Sequence, residues 1–403
     1  MAGATNRELK VLHVIPGLTN SSGPTHALVQ LVTSLEKVGV DVSVAYLGDR
    51  LKNQTEPKLS RGQVFACNTR YLRHWGYSPE LRILLESIAP QHDLLHIHSL
   101  WLYPGLIASN VARRLKLPYI VRPAGSLEPE ALNRRGILKR CYFAAWEKDI
   151  INNACLIHAT SKQEQENIES LNLTPPCVTI PNGIQPEDFS QLPSREEARS
   201  KLKIEQQRPV LTYVGRIHPI KGLEMMAAVI RSLRDEFPNL LFLICGPDEH
   251  AYARDLKSTF DDHGVLDSVR FLGEVDQTQK ILAYRSGDLA LLPSKTENFG
   301  IVAAEALASE TPVIASVHTP WNILEESGAG AWIPREPGLW AETIEGYLRN
   351  PETRRESGLR GRSLVLSTFA WPSIGRQMKQ TYSELLHSPK TTPAEDLQTH
   401  CPR

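Results

Sequence analysis

"DLALLPSKTENFGIVAAEALAS", residues 288–309, reads as one strand, one loop and one helix. "DLALLPS" is an apolar run of the length of a buried strand. "KTENFG" is its loop, and the small-residue run "IVAAEALAS" is the helix that follows. Such a unit belongs to a parallel sheet, in which every strand needs a crossover helix. Two carboxylates, Glu297 and Glu305, stand around the loop–helix junction, and their purpose is the first functional question.

The same period runs outward in both directions. "LKVLHVIPG" is a strand ending in a glycine loop, and "PTHALVQLVTSLEKVG" is an amphipathic helix closed by Gly39. "VDVSVAYLG", "DLLHIHS", "PYIVRPAG", "ACLIHATS" and "PCVTIPNG" continue the strands. The pattern restarts after a turn-rich segment, Pro181 to about Pro193. "RPVLTYVGR", "LLFLICG", "VRFLGE", "DLALLPS" and "TPVIAS" then alternate with helices. The expected architecture is α/β: two doubly wound, parallel-sheet, Rossmann-like domains that face each other across an interdomain cleft. The N-terminal domain is expected over residues 1–187 and the C-terminal domain over 188–368. A final helix is expected over 369–387, and 388–403 to be a disordered tail.

With 403 residues, the chain has room for two domains of ordinary size. It is 41% hydrophobic and 22% charged, the profile of a soluble globular protein. Lys plus Arg equals Asp plus Glu at 45 each, so bulk charge offers nucleic acid no attraction, and an anion site must be local. Six scattered cysteines form no CxxC pair, which argues against a zinc site or disulfide framework and for a reducing compartment. No apolar run spans a membrane, and the N-terminus reads as a strand rather than a signal peptide. A cytoplasmic location is expected.

Ligands of open α/β sheets bind beyond the carboxyl ends of the strands, here marked by Gly17, Gly23, Gly215, Gly246 and the Glu297 loop. In "VGRIHPIKGLEMM", Arg216 and Lys221 follow a strand and a glycine turn, at the mouth of a helix. Two such cations beside helix-start amides suit a diphosphate. An isolated Arg/Lys pair is more often a pair of solvated surface cations; the glycine-flanked setting at a strand–helix junction is what favours the diphosphate. A carboxylate can accept hydrogen bonds from vicinal hydroxyls, so Glu297 could hold a hexose and Glu305 a ribose with the diphosphate between. The plainer alternative makes Glu297 a helix-start charge and Glu305 a solvated helix residue.

"GRIHPIKGLE" and "ENFGIVAAEALASETPVIAS" together resemble the retaining glycosyltransferase family 4, the glycosyl transferases of group 1, whose fold is GT-B. "SSGPTHALVQLVTSLEKVGVDV", "VTIPNGI", "LLFLICGPDE", "VRFLGEV" and "FAWPSIGRQMKQTY" extend the resemblance over about residues 8 to 386. The resemblance implies roles. Arg216 and Lys221 would bind the donor diphosphate and stabilise the departing charge. Glu297 would contact the donor sugar and Glu305 the ribose. Asn298, Phe299, Gly300 and Ile301 would bind sugar and phosphate at the helix start. Gly23 would admit the phosphate to the N-terminal loop, and the backbone at Glu274 and Val275 would face the base. The final helix, 369–387, would cross back and pack on the first domain.

Two positions depart from the family pattern. Its usual Gly-Gly is Ser22-Gly23, and Ala124 stands where many relatives have a histidine. His98 and Arg122 are the candidate replacements near the acceptor. His96 and His158 read as core positions. With no DxD pair, the expectation is no metal and no cofactor beyond the nucleotide-sugar donor.

"NRRGILKRCYFAAWEKDII" places basic residues beside Tyr142, Phe143 and Trp146, so this helix could touch an anionic membrane carrying a lipid-linked glycan. An ordinary half-solvated helix reads the same way. "HTPWNILEESGAGAW" and "HSLWLYPG" resemble the bacterial members that build cell-surface polysaccharides. The expected activity is transfer of a hexose to a hydroxyl acceptor. The rivals are a nucleotide-sugar-binding protein with little activity, motivated by Ala124, and a nucleotide-sugar epimerase. A nicotinamide dehydrogenase is disfavoured, since "GLTNSSG" is not GxGxxG.

Overall fold

A computed structural model describes residues 8–18, 23–48, 58–98, 100–133, 139, 141–248 and 251–387. The chain divides into two compact units, Pro181–Ser373 and a first unit of the residues before Pro181 together with those from Ile374 onward. The sequence pattern had set the boundary at 187/188. Ser22 and the expected tail 388–403 lie outside the described residues.

Among the described residues the first unit holds seven strands: β1 (Leu9–Ile15), β2 (Val40–Leu47), β3 (Val64–Cys67), β4 (Leu94–His98), β5 (Tyr119–Arg122), β6 (Leu156–Ala159) and β7 (Cys177–Thr179). Their order is β3-β2-β1-β4-β5-β6-β7, and every pair is parallel. Around them lie α1 (Gly23–Lys37), α2 (Pro79–Ile88), α3 (Tyr103–Leu115), α4 (Pro129–Asn133), α5 (Lys148–Asn152) and α6 (Lys162–Glu169). Phe143–Glu147 forms a π-helical turn directly before α5.

The second unit repeats the scheme with β8 (Val210–Val214), β9 (Leu241–Cys245), β10 (Val269–Gly273), β11 (Leu289–Leu292), β12 (Val313–Ser316) and β13 (Gly330–Ile333), in the order β10-β9-β8-β11-β12-β13. Its helices are α7 (Arg195–Lys201), α8 (Met225–Leu233), α9 (Tyr252–Asp262), α10 (Gln277–Ser286), α11 (Ile301–Ala308), α12 (Ile323–Ser327), α13 (Pro337–Arg349) and α14 (Pro351–Thr368). The last helix, α15 (Trp371–His387), begins in this unit and continues into the first. There Lys379 Nζ donates to the Val38 carbonyl at 2.6 Å, and Tyr382 reaches His96 at 2.8 Å.

Burial explains the sequence pattern. β4, β8, β9, β11 and β12 are buried at every residue, as strands covered by helices on both faces must be, so they read as largely apolar runs, with His96 and His98 of β4 the polar exceptions of most consequence. The chain reverses between β1 and β4 in one sheet and between β8 and β11 in the other. These are the switch points at which doubly wound sheets bind ligands. On the other side of β8, at the ends of β8 and β9, a Cβ on Gly246 would stand 2.0 Å from the Gly215 carbonyl oxygen, so only glycine lets these two strand ends pass.

Candidate active site

β8 and β11 are neighbours, so their outgoing loops lie side by side. The β8 loop carries Arg216, which is exposed, and Lys221. Lys221 closes a 3-10 turn, Pro219–Lys221, and Gly222 (φ +67) then redirects the chain. Helix α8 begins only at Met225, so the cation precedes the helix rather than opening it. The β11 loop carries Glu297. Lys221 Nζ lies 2.5 Å from Glu297 Oε1, and Ser294 Oγ donates to the same oxygen at 2.8 Å. Side-chain exposure is 14% for Lys221 and 10% for Glu297, so the pair is only partly screened by solvent.

Gly300 (φ +73) turns the β11 loop into α11. A Cβ there would press on Leu292 and Trp321 at 3.2 Å, beyond the penalty of the left-handed backbone. Phe299 is a packing anchor: its ring meets Trp321 and Phe369, and its carbonyl accepts from Trp321 Nε1 at 2.7 Å. Ile301 packs on the same core. Asn298, Phe299 and Gly300 can therefore serve a ligand mainly through backbone at the helix start. Glu305 lies one turn in. It pairs with Lys280 of α10 and lies 3.5 Å from the Tyr284 hydroxyl. Those two partners were not foreseen, because α10 approaches α11 only in three dimensions. Glu274, exposed, and Val275, packed on the core, join β10 to α10.

Gly23 is the first residue of α1, exposed and with open space where a Cβ would be. His98 and Arg122 end adjacent strands in register, β4 and β5, and are brought together there. Neither offers an open face: His98 is 4% and Arg122 3% exposed. His98 Nε2 contacts His13 Nδ1 at 2.8 Å. Behind them the proton positions follow from one carbonyl. The Ile180 carbonyl can only accept, so His158 Nε2 donates to it at 2.8 Å. His158 Nδ1 then accepts from His96 Nε2 at 3.3 Å, and His96 Nδ1 accepts from the Tyr382 hydroxyl at 2.8 Å. Burial and the Arg122 charge push His13 and His158 down to about 3, and burial holds His96 and His98 well below the ordinary histidine value.

His13, His96 and His98 are the only trio among the described residues close enough to share a metal ion, with ligand atoms within 4.8 Å. Both His96 nitrogens are already engaged, and Arg122 adds a charge of the ion's own sign.

The loop after β5 holds Ala124 (φ +51) and Gly125 (φ +82), and of these two left-handed residues the alanine is the costly one. Glu164, buried on α6, fastens it by accepting from the Gly125 N–H at 2.6 Å, and from the Thr160 N–H and hydroxyl at 2.7 and 2.8 Å. The sequence carried no sign of this role, since Glu164 sits in a polar helix, "KQEQENIE".

Two family models match consecutive stretches: "Glycosyl transferase 4-like domain" over residues 22–183 and "Glycosyl transferases group 1" over 194–363. The chain is a group 1 glycosyltransferase of the family 4 kind. It is 26% identical to a D-inositol 3-phosphate glycosyltransferase of Corynebacterium glutamicum, over 92% of this chain and 94% of that one. Among solved structures it resembles sucrose-phosphate synthase from Thermosynechococcus elongatus, with a TM-score of 0.77, 21% identity, and coverage of 95% of this chain and all of the other. HepE from Anabaena, solved with UDP-glucose, gives a TM-score of 0.74 at 17% identity, over 94% of this chain and all of that one. These likenesses establish GT-B as the fold. Among the described residues, no helix of this glycosyltransferase is long and apolar enough to cross a membrane.

Proposed function

We propose that this group 1 glycosyltransferase is a retaining, metal-independent hexosyltransferase using a nucleotide-diphosphate sugar. The observation that carries the reading is the Lys221–Glu297–Ser294 contact at the β8/β11 strand ends. A diphosphate entering beside Lys221 and Arg216 meets two cations, which supply the charge neutralisation a metal gives in other transferases. Glu297 is then positioned to accept from hydroxyls of the transferred sugar. Glu305, on the next helix, is offered to the ribose. A donor of the UDP-glucose type is consistent with the ligand bound by HepE. The acceptor is a hydroxyl compound, and glycan assembly, with a lipid-linked acceptor included, is the pathway class this reading favours.

In the proposed step the bond from the sugar's anomeric carbon to the diphosphate oxygen breaks. The acceptor oxygen bonds to that carbon on the same face, and the acceptor's proton passes to the departing diphosphate. Arg216 and Lys221 stabilise the charge that develops on the leaving group. Removing one such donor typically costs about 10²–10³-fold in rate. Lys221→Ala is therefore expected to lower turnover by roughly that factor, while EDTA leaves the wild-type rate unchanged. Product configuration is read by NMR of the anomeric proton. Inversion at that carbon, or loss of activity with EDTA, overturns the reading. Conversion of the donor to another sugar nucleotide without an acceptor would instead identify an epimerase.

A further inference from the structure

Three unusual features meet beside the ends of β4 and β5. Trp101, three residues past β4, has φ +71, a backbone region that bulky side chains rarely adopt. Its N–H donates to Glu147 Oε1 at 2.7 Å, and its ring nitrogen donates to the Ser126 carbonyl of the β5 loop at 3.1 Å. Glu147 is 1% exposed, and its second oxygen, Oε2, is buried with no hydrogen-bond partner. Burial raises its pKa to about 7. The residue ends a π-helical turn, a distortion frequent at functional sites.

Aromatic rings gather around Trp101, whose N–H this carboxyl holds. The Tyr142 ring lies tilted against two others, 6.1 Å from Trp101 and 5.0 Å from Trp146. The Tyr142 hydroxyl accepts from Trp75 Nε1 at 2.8 Å, leaving its own proton to donate. Trp146, the residue before the buried acid, is 48% exposed, so a large apolar face meets solvent beside Tyr142. Lys139 Nζ lies over the Trp101 ring at 4.5 Å.

We infer that Trp101, Tyr142, Trp146 and Glu147 form a saccharide-binding site that receives a pyranose ring of the acceptor. The inference rests on the glycosyl-transfer reading above and extends it to the acceptor's chemical class. A pyranose ring has an apolar C–H face that packs on an aromatic ring, and hydroxyls along its edge. The orphan Glu147 oxygen supplies the hydrogen-bonding partner such an edge needs, and the Tyr142 hydroxyl a donor. An alkyl chain would cover the rings and still leave the carboxyl unsatisfied. The location, beyond the carboxyl ends of two adjacent strands, is where an α/β sheet presents ligands.

The test uses the full chain and saturation-transfer NMR with methyl glycosides of glucose, galactose, mannose, rhamnose and N-acetylglucosamine. UDP and GDP binding is measured in parallel by calorimetry. Wild type is expected to saturate the ring protons of at least one glycoside. Trp146→Ala should cut that signal at least fivefold, Trp146→Phe should restore it, and Glu147→Gln should change which glycoside is preferred. Nucleotide affinity should stay within twofold in all three variants. Lys221→Ala should show the reverse, losing nucleotide and keeping the glycoside. Nucleotide loss in wild type with the glycoside signal intact would sink the donor reading and leave this site standing. A glycoside signal unchanged in Trp146→Ala overturns the site. So does silence with every glycoside in wild type, whatever the nucleotide does.

Discussion

Trp101 keeps its left-handed backbone because Glu147 holds its N–H. Such a conformation costs about 1–3 kcal/mol, and the 2.7 Å bond to the Glu147 carboxyl offsets part of it. The same carboxyl makes stability depend on pH. Its pKa is about 7 in the fold against an ordinary 4.5, raised by burial and partly countered by the Trp101 N–H. Between these values the folded protein keeps a proton that the unfolded chain has released. The group's contribution therefore falls as pH rises through this window and stays low above it. Its penalty grows by roughly 2 kcal/mol from pH 5 to pH 8. Glu147→Gln removes an ionisable group from that pocket, so its Tm gain over wild type should widen across the same range in scanning calorimetry. A constant offset at both pH values would show that the carboxyl does not titrate as stated. Lys221 and Glu297 were legible as candidate site residues because each follows a recognisable strand end, and the structure brings the two together. Glu147 was not, because "WEKD" reads as a solvated helix turn. It is buried in a π-helical turn, whose residue period differs from that of an α-helix.

At the scale of elements, the second unit is tied together by one acid. Asp288, at the entry to β11, meets Arg195 at 2.6 Å, Arg199 and Arg354 at 3.1 Å, and accepts from the Val210 N–H at 2.8 Å. It joins α7, β8, β11 and the start of α14 through a site where Arg199 is wholly buried. Removing the acid leaves that guanidinium with no countercharge in the contact, and burial already lowers its pKa to about 10. Asp288→Ala should destabilise by about 3–5 kcal/mol, seen as a lower urea midpoint with an unchanged slope. A loss below ~1 kcal/mol would mean that water or neighbouring carbonyls satisfy the arginines. The strands themselves could be read directly, since burial on both faces leaves uninterrupted apolar runs. β3 and β13 escaped that reading. Both are four-residue edge strands, mostly half-buried, so "VFAC" and "GAWI" lack the length and contrast of a central strand.

Across the whole molecule, the buried histidines are unevenly placed. His13, His96, His98 and His158 all lie in the first unit, and among the described residues the second has no buried histidine. Each of the four is kept neutral by burial, with a folded pKa below the ordinary 6.5. Below that pH the unfolded chain binds protons that the fold refuses, so stability is lost as pH falls through 6.5 toward the folded values. At pH 5 a single such histidine costs about 2 kcal/mol, and four in contact cost several. Glu147 acts in the opposite sense over part of the range, but it is one group against four. Acidification from pH 7.5 to 5 should therefore open the first unit first. Hydrogen exchange corrected for intrinsic rates should show β1, β4 and β6 losing protection while β8, β9 and β11 keep theirs. His158→Asn should lessen the effect by removing one of the protonation sites. Simultaneous loss in both sheets would instead show that the units unfold as one cooperative body, or that the histidine chain accepts a proton without breaking.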